Sequence, residues 1–206
     1  ANMYITLNYL KTRMSKGGAI VYCTSTAGLE WKKFKKEQNK VVHAKTWEEV
    51  QELTKKLAAS APATFAYMYS KRCASQFACE QSVEFAKLGI RINNVLPGST
   101  DTGMKQEFQD MVGSEEGLIA QAGLAGRLAT PEEMAYPMVF LNSEMASFIS
   151  GLDMVVDYTD TCLKVLGLKK NLEAVSATNP IICAFAKKML NKEAKSKALK
   201  PGSSEK

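Results

Sequence analysis

The chain has 206 residues, 46% of them apolar, and a formal charge of +6, which suits one soluble globular domain with a sizeable core. No apolar run approaches the roughly 20 residues a membrane-spanning helix needs, and the N-terminus lacks the basic, apolar, small-residue order of a secretory leader, so a cytoplasmic protein is expected. The charge is uneven: residues 161–206 hold 10 Lys and 3 Glu, leaving 17 basic and 18 acidic residues in 1–160. Without aromatic interleaving or an arginine cluster, such a basic tail reads as a solvated end, with neither nucleic acid nor membrane as partner.

In chain order, Met3, Leu7, Leu10 and Met14 recur at helical spacing, and Lys16-Gly17-Gly18 supplies a stop. "GAIVYCT" (18–24) has no polar alternation, the pattern of a strand buried on both faces of a parallel sheet. The lysine-rich stretch 29–44 is ambiguous. "TWEEVQELTKKL" (46–57) is an amphipathic helix whose Thr46 and Glu49 form a capping box. Pro62 opens a longer helix that Gly89 stops. "IRINNVL" (90–96) is the next strand, ended by Pro97-Gly98, and residues 103–125 form a loop-and-helix region whose Met104, Met111 and Leu118 suggest an apolar lid. Thr130 caps a helix over "PEEMAYPMVFLNS", and "LDMVVD" (152–157) is the last strand. Strands alternating with helices indicate a parallel sheet covered by helices on its faces. Near the end, Ile182, Phe185, Met189 and Leu190 can share one side of a helix that packs on the body or a partner, and "PGSSEK" is expected to be disordered.

Five cysteines (Cys23, Cys73, Cys79, Cys162, Cys183) and one histidine offer no C-x-x-C pair and no zinc spacing. Reduced core thiols and no metal are expected. His43 sits among lysines and reads as exposed and non-catalytic.

The chemistry-bearing stretch is "YMYSK" (67–71). A tyrosine four residues before a lysine shares its helix face. A phenol titrates near 10, and bringing it down to where it can work near neutrality takes roughly 3 to 4 kcal/mol of differential stabilisation, which a neighbouring ammonium can supply. Tyr69 points to another side and has no lysine four residues on, so Tyr67 is the better acid.

Taken together, the apolar strand, "TSTAG" (24–28), the Tyr67/Lys71 helix, "INNVLPGSTDT" (92–102) and "GRLATPEEMAYPMVFLNSEMASFISGLDMVVD" (126–157) make the sequence resemble the short-chain dehydrogenase/reductase family over residues 1 to about 157. The resemblance implies a Rossmann-like, doubly wound parallel α/β sheet and a nicotinamide cofactor, NAD(H) rather than NADP(H). It implies that Tyr67 exchanges a proton with the substrate oxygen, that Lys71 lowers the Tyr67 pKa and holds the nicotinamide ribose, and that Ser25 hydrogen-bonds the carbonyl or alcohol. Pro97, Gly98, Thr100 and Thr102 match the loop that contacts the nicotinamide.

Departures refine this expectation. Ser25 and Tyr67 are 42 positions apart, more than is usual in the family, because of a helical insertion over about 29–63. The bacterial 3α-hydroxysteroid dehydrogenase/carbonyl reductase branch carries a similar insertion, which implies a hydroxysteroid or other bulky alcohol or ketone as substrate. The insertion would obstruct tetramer formation and leave a homodimer through the last strand and its neighbouring helix. The glycine-rich turn and first strands of the family are absent, and its catalytic asparagine would fall at or just before residue 1, with Asn2 in its place only if the register slips. "VVDYT" stands where the family has "VDGG". The expectation is residues 1–160 as the C-terminal part of a Rossmann-fold domain lacking the N-terminal nucleotide-binding strands, and 161–206 as a basic, partly disordered helical tail. Such a chain is N-terminally truncated or one half of a split protein, with Ile20 and Val21 on an unpaired edge. A non-catalytic relative that binds through its basic tail is the alternative.

Overall fold

The computed structural model describes residues 1–188; the predictions for Met189, Leu190 and "PGSSEK" lie outside the described residues. Three parallel strands form one sheet in the order β1 (Ala19–Cys23), β2 (Arg91–Pro97), β3 (Asp153–Val156). Cys23 pairs with Val95, and Pro97 with Val156. Side chains alternate across the pleat. Ile20, Tyr22 and Ile92 pack with Phe85 of α4 (Ala63–Lys87) on one face, while Val21, Val95 and Met154 pack with Leu141 of α7 (Pro131–Asn142) on the other. The doubly wound Rossmann-like arrangement is therefore present with three strands among the described residues.

β1 corrects one expectation. Its residues are half-buried and Cys23 is exposed, because β1 is an edge of this sheet and pairs with β2 alone. The chain before it forms α1 (Asn2–Ile5), which runs into a wider π turn at Thr6–Leu10.

The ambiguous lysine-rich stretch becomes a 3-10 helix (Thr26–Lys32) and α2 (Lys35–Val42), followed by α3 (Trp47–Ser60). The Thr46 hydroxyl accepts the Glu49 N–H at 3.1 Å, but the Glu49 carboxylate takes the N–H of Lys45 at 2.9 Å, one residue short of a reciprocal box. The box at Thr130 is complete, with Glu133 accepting the Thr130 N–H at 2.8 Å. Gly89, at φ +72°, ends the turn after α4.

α5 (Lys105–Val112) and α6 (Glu115–Ile119) occupy the lid region, and Leu118 is buried there with Ala122 and Leu128. After β3 comes α8 (Asp160–Val165), and residues 180–188 are helical again. Cys183 faces the body from this last helix, whereas Phe185 is 65% exposed, so the expected stripe does not pack as one side. The helix turns residues 182, 183 and 186 inward instead.

All five cysteines are free; Cys73 and Cys183 are buried, but Cys23 and Cys162 are exposed. Cys23 ends the edge strand and Cys162 lies on the exposed side of a short helix after β3, so these two are not core thiols. His43 is exposed, with Nε2 2.8 Å from the Glu80 carboxylate. Among the described residues no group of side chains could hold a metal ion, and no helix is long and apolar enough to cross a membrane.

Candidate active site

α4 presents Tyr67 and Lys71 on one face, both half-buried. Opposite them, β1 ends and the chain turns into the 3-10 helix. Ser25 is the N-cap of that helix, and its hydroxyl accepts the Ala27 N–H at 3.3 Å. The same hydroxyl lies close enough to the Tyr67 phenol to favour its ionised form. The Lys71 ammonium lies 5.3 Å from the centre of the Tyr67 ring and donates to the Cys23 carbonyl at 3.5 Å. Three side chains from two distant stretches thus meet at the carboxyl end of β1, where open parallel sheets take their ligands.

The electrostatics differ from the simple pairing. Burial pushes the Tyr67 phenol above its ordinary pKa; the nearby Ser25 hydroxyl works against this, and the charges of Cys23 and Glu173 add to the rise. Burial also pushes the Lys71 ammonium below its ordinary value. In this geometry Lys71 lies against the ring face, and the group that favours phenolate is the Ser25 hydroxyl.

Tyr69 is turned the other way. Its ring is buried with Val41, Val42 and Phe77, and its hydroxyl donates to the Glu37 carbonyl at 3.0 Å. Asn2 is exposed at the start of α1, where its carbonyl accepts from Thr6.

The second group of predicted residues follows β2. Pro97 is its last residue, and the Gly98 N–H donates to the Val156 carbonyl at 2.9 Å. Gly98 passes so close to β3 that a Cβ there would lie 2.8 Å from the Asp157 Cβ. The Thr100 hydroxyl donates to the Gly98 carbonyl at 3.0 Å, and the exposed Thr102 accepts the Met104 N–H at 3.3 Å. A cavity of about 100 Å³ is lined by Gly98, Ser99, Ala129, Met134, Asp157 and others, a lining that does not include Tyr67. The sheet joins this loop to the trio, since the Thr24 N–H donates to the Val95 carbonyl at 2.9 Å.

Three residues that sequence reasoning passed over shape the site. Phe108 of α5 packs edge-on against the Tyr67 ring, 5.5 Å between centroids at 81°. Gly28 lets the 3-10 helix press on α4: a Cβ there would be 2.7 Å from the Ser75 hydroxyl and 3.0 Å from the Lys71 carbonyl. Arg72, beside Lys71, is fully buried under Phe34, with 4.3 Å from guanidinium to ring centre. Phe108 stands four residues after Met104 and could have been read as part of the lid; no sequence signal marks the other two.

A family model described as enoyl-(acyl carrier protein) reductase matches residues 54–158, just over half of the chain. The chain belongs to the short-chain dehydrogenase/reductase family. The matched span includes Tyr67, Lys71 and the loop from Pro97 to Thr102. Cyclopentanol dehydrogenase of Comamonas sp. is 38% identical over 97 residues, which is 47% of this chain and 38% of that protein. 2,3-Dihydro-2,3-dihydroxybenzoate dehydrogenase of Escherichia coli is 37% identical over 99 residues, 45% of this chain and 40% of that one. The chain thus covers about two fifths of the length of these two short-chain dehydrogenase relatives. The fold is shared with the 3-alpha-hydroxysteroid dehydrogenase of Pseudomonas sp. B-0831, solved with NADH, at a TM-score of 0.59 and 22% identity over 76% of this chain and 59% of that one.

Proposed function

We propose that the protein acts as an NAD(P)-dependent oxidoreductase that interconverts a secondary alcohol and a ketone. The observation that carries this reading is the grouping of Ser25, Tyr67 and Lys71 at the carboxyl end of a parallel strand, with the Lys71 ammonium over the Tyr67 ring and on the Cys23 carbonyl. Tyr67 gives its phenolic proton to the oxygen of a ketone during reduction and takes it back during oxidation. Ser25 donates to the same oxygen and so stabilises the charge that develops on it. A bound nicotinamide supplies or accepts the hydride at the carbon.

Lys71 is suited to hold the cofactor ribose. Its ammonium has three donors, and its contact with the Cys23 carbonyl is at the long limit of a hydrogen bond, 3.5 Å. It can therefore turn toward ribose hydroxyls without breaking a strong bond. Pro97, Gly98, Thr100 and Thr102 would border the nicotinamide, with Thr102 exposed and able to contact a ligand. NAD(H) is the cofactor proposed, in keeping with the NADH named for the solved hydroxysteroid dehydrogenase.

The substrate proposed is a hydroxysteroid or another bulky alicyclic alcohol or ketone. The Phe108 ring beside Tyr67 gives such a molecule an apolar wall, and the named relatives include a dehydrogenase of cyclopentanol. A homodimer through β3 and α7 is the proposed assembly: β3 is an edge strand, and α7 exposes Tyr136 and Val139.

The test is to titrate the full-length protein with NADH and NADPH by cofactor fluorescence, then to assay cyclic ketones and hydroxysteroids with the cofactor that binds. Absence of nucleotide binding by the full-length protein overturns the reading.

A further inference from the structure

Residues 171–177 lie beyond the span that matches the family model, yet they are fastened to the elements that build the candidate site. The guanidinium of the buried Arg72 donates to the Val175 carbonyl at 3.0 Å and to the Glu173 carbonyl. Lys33 reaches the Ala174 carbonyl at 3.5 Å. The Asn171 amide donates to the Glu30 carboxylate at 2.8 Å. The Glu173 carboxylate accepts from Lys164 at 3.0 Å, and Lys164 in turn pairs with the buried Asp160 at 2.8 Å. Ala177 is fully buried in the cluster that holds Tyr69, Cys73 and Phe77 of α4 and Val41 and Val42 of α2.

These tethers converge on the 3-10 helix. Ser25 caps its N-terminus, Glu30 lies on it, and Phe34, which stacks on Arg72, follows two residues after its end. Two further contacts fix its other sides: Gly28 against α4, and the Trp31 indole, which donates to the Asp153 carboxylate of β3 at 3.0 Å. Ser25 caps and Glu30 lies on one seven-residue helix, so the position of Glu30 bears on that of Ser25.

We propose that segment 171–177 is a strap that fixes the Ser25 hydroxyl against Tyr67, with Asn171 and Arg72 as positioning residues. The inference rests on the site reading given above. The dependence is mutual. A buried guanidinium needs acceptors, and the strap supplies two backbone carbonyls to Arg72. The strap in turn has no sheet partner, and the carbonyls of Glu173, Ala174 and Val175 accept from the side chains of Arg72 and Lys33. The negative charge of Glu173 is felt at the Tyr67 phenol, which is in keeping with the strap lying along this flank of the site. Chain that the family match does not cover would thus set the geometry of the family's own chemistry.

The test uses the full-length protein with 13Cζ-labelled tyrosine, because the Cζ resonance of Tyr67 reports the polar surroundings of its oxygen and needs no turnover. Ser25→Ala supplies the reference position for a phenol without the serine hydroxyl beside it. Asn171→Ala and Glu30→Ala remove one contact near the surface and leave the Arg72 anchor intact, so folding is preserved. Both are expected to move the Tyr67 resonance toward the Ser25→Ala position, whereas Glu30→Gln, which keeps an acceptor for Asn171, leaves it in place. The same two alanine variants are expected to lower kcat by about tenfold or more while the KM for the cofactor stays unchanged, since a small misplacement at the reacting centre is costly. A Tyr67 resonance that moves in Ser25→Ala but stays at the wild-type position in both Asn171→Ala and Glu30→Ala overturns the strap alone. A resonance that does not respond even to Ser25→Ala overturns the site reading, and the strap with it.

Discussion

The Ser25 hydroxyl stands beside the Tyr67 phenol and favours its ionised form, although the two residues are 42 positions apart in the chain. Their approach joins the carboxyl end of β1 to the face of α4 and places two groups that are ordinary when apart where one substrate oxygen can meet both. A phenol is protonated at neutral pH, and burial moves the Tyr67 pKa further up, which keeps the form needed to reduce a ketone. Reduction should therefore be flat through neutrality and fall as pH rises past the Tyr67 pKa; alcohol oxidation should rise over the same range. Tyr67→Phe removes the proton but keeps the ring against Phe108, so turnover should drop by about 100-fold or more with little change in melting temperature. Steady-state kinetics beside a thermal melt checks both halves.

Gly28 sets how closely the 3-10 helix can lie on α4. A methyl group there meets the Ser75 hydroxyl at 2.7 Å and the Lys71 carbonyl at 3.0 Å; the hydroxyl can rotate away, but the backbone carbonyl cannot. Gly28→Ala should cost about 1 to 3 kcal/mol of stability by overpacking, measured by urea unfolding. It should also push Ser25 off Tyr67, lowering kcat more than a Gly→Ala change on an exposed helix would.

What the sequence displayed and what it hid follow from the range of the interactions. Strands β2 and β3, the helix from Pro62 to Gly89 and the capping box at Thr130 are written in local patterns of period and cap, and they formed where those patterns stand. The double burial expected of β1 did not, because burial depends on which strands flank it, and β1 is an edge. Glu49 missed the Thr46 N–H by one residue since Lys45 offers its own N–H to the same carboxylate. At the site, the helical spacing put Tyr67 over Lys71, but the approach of Ser25 across the insertion came only from the order of motifs shared with the family. Gly28, Arg72 and the strap rest on contacts between distant segments, which no short-range pattern encodes.

The turn after β3 keeps a glycine-like shape without glycines. Tyr158 and Thr159 stand at φ +45° and +76°, where the family resemblance would place Gly-Gly. A β-branched residue in the left-handed region is strained by about 1 to 2 kcal/mol, part of which Thr159→Gly should recover after the greater flexibility of glycine in the unfolded chain is subtracted. A gain of about 1 kcal/mol is expected from chemical denaturation. Gly123→Ala should do the opposite, because Gly123 is at φ +64° and a Cβ there would lie 2.1 Å from the Tyr158 carbonyl oxygen.

Glu133 gives the fold an acid-sensitive contact. The Arg127 guanidinium grips its carboxylate at 2.7 and 2.8 Å, and the Thr130 N–H adds a third bond at 2.8 Å. Arg127 first and the backbone second hold the Glu133 pKa down to about 2 against an ordinary 4.5. A carboxyl whose folded pKa is depressed binds fewer protons when native than when unfolded, so its contribution is complete above about 4.5 and is lost as pH falls toward 2. Glu133 is at the surface, where salt screens such pairs, and the effect should shrink at high ionic strength. Glu133→Gln keeps an acceptor for Arg127 and Thr130 but cannot titrate. Melting temperatures recorded from neutral pH downward should converge for wild type and Glu133→Gln between pH 4.5 and 2, with the wild type more stable only at the upper end.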